Sequence, residues 1–172
     1  SYRNGDGVAQ DCSEAARWYR KAADQGFANA QFLLAMMYSE GQGLAQDDNK
    51  AVQLFRKAAD QGLAAAQVGL GNMYYHGRGV SQDHNEAIQW FSKAADQGLA
   101  AAQFVLGSLF HDGKIVAQDF NQAMKWYEKA ADQDCADSKI KIGLMYYAGE
   151  GVAQDATLGR SFILAAEAQG NE

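Results

Sequence analysis

Apolar and polar side chains follow the spacing of amphipathic helices along this chain. Between residues 47 and 62, apolar side chains at Ala51, Leu54, Phe55 and Ala58 recur at intervals of three and four, and polar or charged residues occupy the other faces. The pattern predicts an α-helix, here called helix B, that buries one face and exposes the other. No stretch shows the period of two that is typical of a strand.

The same pattern returns every 36 residues without insertion or deletion. The phrase Lys-Ala-Ala-Asp-Gln-Gly begins at Lys21, Lys57, Lys93 and, with Asp134 in place of glycine, at Lys129. A fixed period of this length indicates stacked supersecondary units that cannot bury their apolar faces alone. We therefore expect a single repeat array over residues 1–172. It would contain a partial unit 1–27, units 28–63, 64–99 and 100–135, and a final unit 136–172 with a degenerate capping helix.

A second predicted helix, called helix A, lies between successive B helices. It spans approximately Ala64 to His76, with Ala66, Leu70 and Met73 on one side. A small residue next to the central leucine or its equivalent indicates close helix approach. A short Gly-x-Gly segment joins A to the following B, so the two helices should form an antiparallel hairpin. The other A helices are expected to begin near Ala28, Ala100 and Ala136.

The ends of helix B carry residue types that start and stop helices. An aspartate precedes it in each repeat, as an N-cap that resembles part of a capping box. A glycine follows it, where a left-handed backbone suits a residue without a side chain, and Asp134 takes this place once. The caps are Asp11, Asp47, Asp83, Asp119 and Asp155, and the glycines are Gly26, Gly62, Gly98 and Gly170. We expect the aromatic pairs of helix B in the core, and Trp90→Ala to cost about 3–5 kcal/mol.

Composition excludes several classes of partner. The formal net charge of -6, with both signs mixed along the chain, argues against nucleic acid, which requires basic stripes. No apolar run approaches the roughly 20 residues of a membrane span, so we expect no membrane insertion. Cys12 and Cys135 occupy unrelated repeat positions and are expected as small buried hydrophobes rather than a disulfide. Because the chain starts at Ser1 within the register of a helix, we expect it to be part of a longer array.

The recurring positions also carry a family resemblance. From Ala66 to Gly98 the unit reads Ala-x3-Leu-Gly-x2-Tyr-x2-Gly-x-Gly-Val-x2-Asp-x3-Ala-x2-Trp-x2-Lys-Ala-Ala-x2-Gly. This closely resembles the Sel-one-like repeat family, related to tetratricopeptide repeats, over essentially the whole chain. The resemblance implies an all-α, right-handed α-solenoid, or superhelix, of antiparallel helix hairpins, with A helices lining the concave side. It further implies a non-catalytic adaptor for peptides or proteins in an extracytoplasmic bacterial setting. The departures from the pattern are Ile115, Asp134, Gly159 and Glu167.

Comparing the repeats with one another separates positions that stacking demands from positions that it leaves free. The free positions of helix A fall at i, i+4, i+7 and i+11, on one helical stripe, with a second row beside it. This stripe is the candidate surface for binding a protein or peptide, and neutral variation of solvent-facing residues is the alternative. Tyr75 and Tyr147 come first, because tyrosine offers a large contact area at little rotamer cost. The candidates are Leu33, Met36, Ser39, Glu40, Asn72, Tyr75, His76, Val105, Ser108, His111, Asp112, Lys141, Leu144 and Tyr147.

Catalytic and metal-binding chemistry is weakly supported. His76, His111 and Asp112 lie near the ends of A helices in adjacent repeats, and an envelope enzyme or metal-binding protein that uses them is the alternative function. No third imidazole or thiolate accompanies them. The Gly-x-Gly segments follow no strand and are predicted to be turns rather than nucleotide-binding loops. We therefore expect no catalytic residue, metal or cofactor, and a monomer that binds a protein or peptide ligand.

Overall fold

The computed structural model describes the backbone of residues 6–169 and the side chains of residues 12–168, and all regular structure in that range is α-helical. The chain divides into two compact units, residues 1–90 and 91–172. The helices are α1 (Asp6–Asp24), α2 (Ala28–Glu40), α3 (Asp48–Asp60), α4 (Ala64–His76), α5 (His84–Asp96), α6 (Ala100–Asp112), α7 (Phe120–Ala131), α8 (Ala136–Ala148) and α9 (Ala156–Gln169). The even-numbered helices are the predicted A helices, and each begins at the predicted alanine.

Aspartate side chains cap the starts of the B helices. Asp47 accepts the backbone N–H of Lys50 at 3.0 Å, and Asp119 accepts that of Gln122 at 2.9 Å. The backbone hydrogen bond from Lys50, followed by the hydrogen bond from its ammonium group, holds the pKa of Asp47 below its ordinary value. The predicted caps are confirmed at Asp47, Asp83, Asp119 and Asp155.

The first B helix starts earlier than the sequence predicts. Helix α1 begins at Asp6 and runs through Gly7 and Asp11, so the predicted turn and the predicted cap at Asp11 are wrong. In the other repeats the backbone N–H of the capping aspartate is also held by a carbonyl of the preceding A helix, as Asp47 is held by Tyr38 at 2.9 Å. The residue at the corresponding position of the first repeat, 36 residues before Tyr38, lies outside the described residues.

Glycine and one aspartate end the B helices in left-handed backbone. Gly26, Gly62 and Gly98 have φ values of 91°, 88° and 88°, and Asp134 has a φ of 62° at the equivalent position. Aspartate tolerates this region better than most residues with a side chain. The predictions for these four positions are confirmed, and Gly170 lies outside the described residues.

Ring contacts show that A and B helices form antiparallel hairpins. In the first unit, Phe32 in the first half of α2 faces Phe55 in the second half of α3, with ring centroids 6.0 Å apart. At the other end of the same hairpin, the ammonium of Lys50 lies 5.3 Å from the ring centroid of Tyr38. In the second unit α6 and α7 pair in the same way, since rings at both ends of the hairpin are in contact.

The buried aromatic position of helix B is not the one expected from the sequence. Phe91 and Tyr127 are 1% and 0% exposed, whereas Trp90, the residue before Phe91, is only partly buried against the core of the first unit. Trp18 is 62% exposed and Trp126 partly buried, each with a lysine ammonium over its ring. Adjacent residues lie 100° apart around a helix. When the second residue of the pair points into the core, the first therefore points to the edge of the core. The prediction that Trp90 fills a buried site is wrong.

Close backbone approach accounts for two glycines in the second unit. A Cβ at Gly143 of α8 would lie 2.7 Å from the carbonyl oxygen of Gly159 in α9, and a Cβ at Gly159 would lie 2.7 Å from the carbonyl oxygen of Gly143. The departure from alanine at Gly159 therefore permits the two helices to approach. Helix α9 is a full helix, although its sequence departs from the repeat.

Buried glutamines link successive hairpins within each unit. Gln31, Gln67 and Gln103 are 4–5% exposed, and each amide donates to a carbonyl near the end of the preceding B helix at 3.2–3.3 Å. In the last repeat Lys139 replaces this glutamine, and its ammonium lies 2.8 Å from the carboxylate of Asp134. One hydrogen bond has thus been exchanged for an ion pair.

Both cysteines are free, as predicted, but they are not fully buried. Cys12 and Cys135 are each half-buried in the described structure. Cys12 lies within α1, and Cys135 directly precedes α8.

Candidate partner-binding surface

The predicted stripe borders a groove between α2 and α4 in the first unit. This first groove has a volume of about 290 Å³. Predicted residues from both helices line it, and its other walls come from the hairpin core and the following loop. The predicted residues are Met36, Ser39, Glu40, Asn72 and His76, and the others are Phe32, Phe55, Ala65, Val68, Gly69, Met73 and Arg78.

The floor of the first groove is apolar because Gly69 has no side chain. Phe55, which is 4% exposed, packs beneath it, and a Cβ at Gly69 would come within 2.6 Å of the Phe55 ring. Phe32 faces the same ring from α2. Larger side chains occupy the Gly69 position in the other repeats, at Leu33, Val105 and Lys141.

A loop arginine closes one end of the first groove. Arg78, the middle residue of a Gly-x-Gly loop, donates to both carboxylate oxygens of Asp48 at 3.2 and 2.7 Å and to the carbonyl of Ser39 at 2.8 Å. This two-point contact fixes the guanidinium and neutralises its charge. Exposed Glu40 lies at the mouth, where it accepts a hydrogen bond from Gln42 at 2.6 Å.

A second groove lies between α6 and α8 in the other unit. It has a volume of about 370 Å³ and is lined by His111, Lys141, Leu144, Tyr147, Ala148 and Glu150. Four of these six were predicted from the sequence. Leu144 is 49% exposed and Tyr147 37% exposed, so this groove offers apolar area to a partner.

The histidine and aspartate residues of the alternative function do not form a metal centre. His111 Nε2 lies 2.9 Å from the carboxylate of Glu150, and its Nδ1 lies 3.4 Å from that of Asp112. Among the residues that the structure describes, no group of three or more His, Cys, Asp or Glu side chains could hold a metal ion. His76 lies in the first unit and lines the first groove.

The remaining candidates differ in how far they face solvent. Leu33 is 37% exposed and Val105 half-buried. Tyr75 is half-buried between the rings of His76 and His84, at centroid distances of 4.9 and 5.4 Å, so it is less available than Tyr147.

Ser108 and Tyr127 belong to the hairpin rather than to an open surface. The Ser108 hydroxyl donates to the carbonyl of Phe104 at 3.0 Å and accepts from the Tyr127 hydroxyl at 3.2 Å. Burial raises the pKa of Tyr127, and the hydrogen bond with Ser108 opposes that shift in part. A phenol in this environment stays neutral at physiological pH.

Sequence reasoning missed the loop residues that reach the stripe. Arg78 and Glu150, the middle residues of two Gly-x-Gly loops, contact Ser39 and His111, which occupy equivalent positions two repeats apart. The signal was the polar character of this loop position, which is charged in three of four repeats and reads Gln42, Arg78, Lys114 and Glu150. In the described part of the chain, each helix is too short or too polar to cross a membrane.

Comparison with known proteins identifies the repeat. A family model described as "Sel1 repeat" matches residues 1–27, 28–63, 64–99, 100–135 and 136–171. The structure is similar to c5321, a protective antigen of uropathogenic Escherichia coli with an SLR fold, at 39% identity and a TM-score of 0.88, covering 98% of this chain and 36% of that protein. A Sel1 repeat protein from Oxalobacter formigenes gives 36% identity, a TM-score of 0.84, and coverage of 93% and 46%.

A more distant likeness extends to Helicobacter pylori cysteine rich protein B. It has 26% identity and a TM-score of 0.56, with coverage of 74% of this chain and 91% of that protein. A comparison with curated proteins gives no match. The fold is therefore the all-α solenoid of Sel1 repeats with a period of 36 residues. The chain spans less than half the length of the first two solved structures.

Proposed function

Because this chain belongs to the Sel1 repeat family, we propose that it is a non-catalytic scaffold that holds a peptide or protein surface against its A helices. Proteins of this family are generally protein-interaction scaffolds. The observation that carries the proposal is the first groove, where residues that vary between repeats line an apolar hollow between two A helices. Fold alone would not specify a function, so the site has to support it.

The chemistry of both grooves suits protein recognition. Protein-binding sites combine a few apolar or aromatic anchors with a polar rim. The second groove has Leu144 and Tyr147 as exposed anchors, with Lys141 beside them. Their spacing of three residues puts both anchors on one face of α8.

We also propose an extracytoplasmic location. One similar protein is a protective antigen of a pathogenic bacterium, and a location outside the cytoplasm would make such an antigen accessible to antibodies. The same location fits the expectation drawn from the family resemblance. Fractionation of the native host, followed by immunoblotting of each compartment, would test it, and recovery in the cytoplasm alone would contradict it.

Selection of binding peptides tests the scaffold function. Peptides chosen from a random display library on the wild-type protein should lose about tenfold or more in affinity on Leu144→Ala or Tyr147→Ala, if these residues are anchors. Tyr75→Ala should have a smaller effect because that ring is half-buried. Gln53→Ala and Gln89→Ala, exposed changes on B helices, are the controls. Equal binding by the wild type and every A-helix variant would contradict the proposal.

A further inference from the structure

The first groove indicates what kind of peptide it would hold. We propose that it accepts one bulky apolar side chain of an extended peptide, and that Glu40 selects a lysine or arginine next to that side chain. This inference rests on the proposed scaffold function and adds the chemistry of the ligand. Its parts are a recess built by Gly69, an apolar floor and a single uncompensated charge at the mouth.

The recess exists because small residues replace larger ones at two positions of α4. Gly69 stands where other repeats have leucine, valine or lysine, and Ala65 stands where two of them have asparagine or aspartate. A glycine in a helix interior weakens that helix, so its position needs a compensating reason. Here the ring of Phe55 lies where a Cβ would be, within 2.6 Å of it, so glycine lets this ring pack against α4 and form the floor of the groove.

The size of the recess fits one bulky side chain. Its volume is about 290 Å³. Sites for small molecules and cofactors occupy about 300–1,000 Å³, so this recess lies at the small end of that range. Phe32, Met36, Phe55, Val68 and Met73 provide the apolar lining. Thioether and aromatic groups of this kind adapt to large apolar side chains of varied shape.

The charge at the mouth favours a basic neighbour. Arg78 also lines the groove, but Asp48 neutralises it through two hydrogen bonds. Glu40 is exposed and, within the described residues, forms no ion pair, with Gln42 as its hydrogen-bond donor. A lysine or arginine in the ligand would therefore meet an uncompensated carboxylate, on a chain whose net charge is -6.

Methyl NMR of the full chain tests the proposal with defined probes. Three capped tetrapeptides, Gly-Phe-Lys-Gly, Gly-Phe-Glu-Gly and Gly-Ala-Lys-Gly, are titrated at pH 7.5 and low salt. Gly-Phe-Lys-Gly should shift the Met36 and Met73 methyl signals saturably and give intermolecular NOEs between its ring and those methyls. It should bind about two- to fivefold more tightly than Gly-Phe-Glu-Gly, as an exposed ion pair allows. Gly-Ala-Lys-Gly should produce no saturable shift.

Two variants separate the recess from the charge. Glu40→Gln, at an exposed position, should abolish the preference for lysine and keep the NOEs from the phenylalanine ring. Gly69→Leu should remove the binding of both phenylalanine peptides. Because this substitution strains the packing on Phe55, the helix content of the Gly69→Leu variant is checked by circular dichroism. The NOEs of the wild-type protein test the recess whether or not this variant folds.

The outcomes are distinct from those of the scaffold test. Absence of ring NOEs to Met36 and Met73 in the wild type, or a preference for the glutamate peptide, would overturn the inference. If library-selected peptides still bind and respond to Tyr147→Ala, the scaffold function stands while this ligand chemistry fails. If neither peptide set binds, both proposals fail.

Discussion

Ser138 offers a sharp test of how the repeats pack, because it is a polar residue in an apolar position. Its side chain is 0% exposed, and its hydroxyl oxygen has no hydrogen-bond partner in the described structure. The equivalent residues Ala30, Ala66 and Ala102 are alanines with 7%, 0% and 0% exposure. Since alanine fits this site three times, Ser138→Ala should remove an unsatisfied group without harming the packing.

The expected gain in the free energy of unfolding follows from the desolvation of the Ser138 hydroxyl. A buried polar group without a partner costs about 1–3 kcal/mol, so Ser138→Ala should raise the free energy of unfolding by about that amount. The change removes one oxygen atom, and the cavity that it leaves is small, so the gain should lie nearer the lower limit. For a chain of this length, each kcal/mol corresponds to about 2–4 °C in Tm.

Thermal and urea unfolding of the full chain, followed by circular dichroism, measure this difference. Ala102→Ser, the reverse change at an equally buried position, is the matched control and should lower the free energy of unfolding by a similar amount. If Ser138→Ala destabilises the protein, the hydroxyl has a partner that the packing argument omits. If Ala102→Ser has no effect, the site tolerates a hydroxyl and the reasoning also fails.

Three further tests address the core, the packing of the last helix and the stability of the fold at alkaline pH. Phe91→Ala should cost about 3–5 kcal/mol in urea unfolding, and Trp90→Ala less, because Phe91 is 1% exposed while Trp90 is only partly buried; equal losses would contradict this. Gly159→Ala should lower Tm despite the alanines at equivalent positions, since a Cβ would strike a backbone oxygen, and an unchanged Tm would refute the close approach. Burial raises the pKa of Tyr127, so the folded state keeps its phenol proton longer than the unfolded state and stability falls as pH rises above about 10. Tyr127→Phe should reduce that fall in urea titrations between pH 9 and 11, and an identical fall would contradict it.

The period made most of the fold predictable. An aspartate before each B helix, a glycine after it and an alanine at each A-helix start fixed the bounds of the A helices and those of the interior B helices. These signals are local, because caps act within one turn of the helix that they end. The left-handed backbone at Asp134 was predictable in the same way, since it depends on the residue type and on its place after a B helix.

Features that depend on packing between helices were not predictable. Trp90 and Phe91 are adjacent aromatic residues, and only the angle at which α5 packs decides which of them is buried. The start of α1 also differs from the prediction, since this helix runs through Asp11 instead of beginning after it. The exact floor of the first groove depended on Gly69 lying over Phe55, a contact between different helices.

Variation between repeats does not by itself identify a binding residue, because some positions vary in pairs. The ion pair of Lys139 with Asp134 replaces a hydrogen bond that glutamine makes in the other repeats. The contact of His111 with Glu150 occupies the place where Arg78 contacts Ser39. Such paired changes preserve the packing between repeats, so they can be explained without a binding partner.

One row of the stripe, the last free position of each A helix, differs from these compensated pairs. The side chain at this position is exposed in all four repeats and is in turn an acid, an imidazole, an acid and a methyl group: Glu40, His76, Asp112 and Ala148. Burial does not select among these types, since each side chain faces solvent. If ligand recognition acts on any row of helix A, it therefore acts most directly on this one. The double substitution Glu40→Ala and Ala148→Glu, which exchanges these two residues, should then change the ligand preference while leaving Tm unchanged.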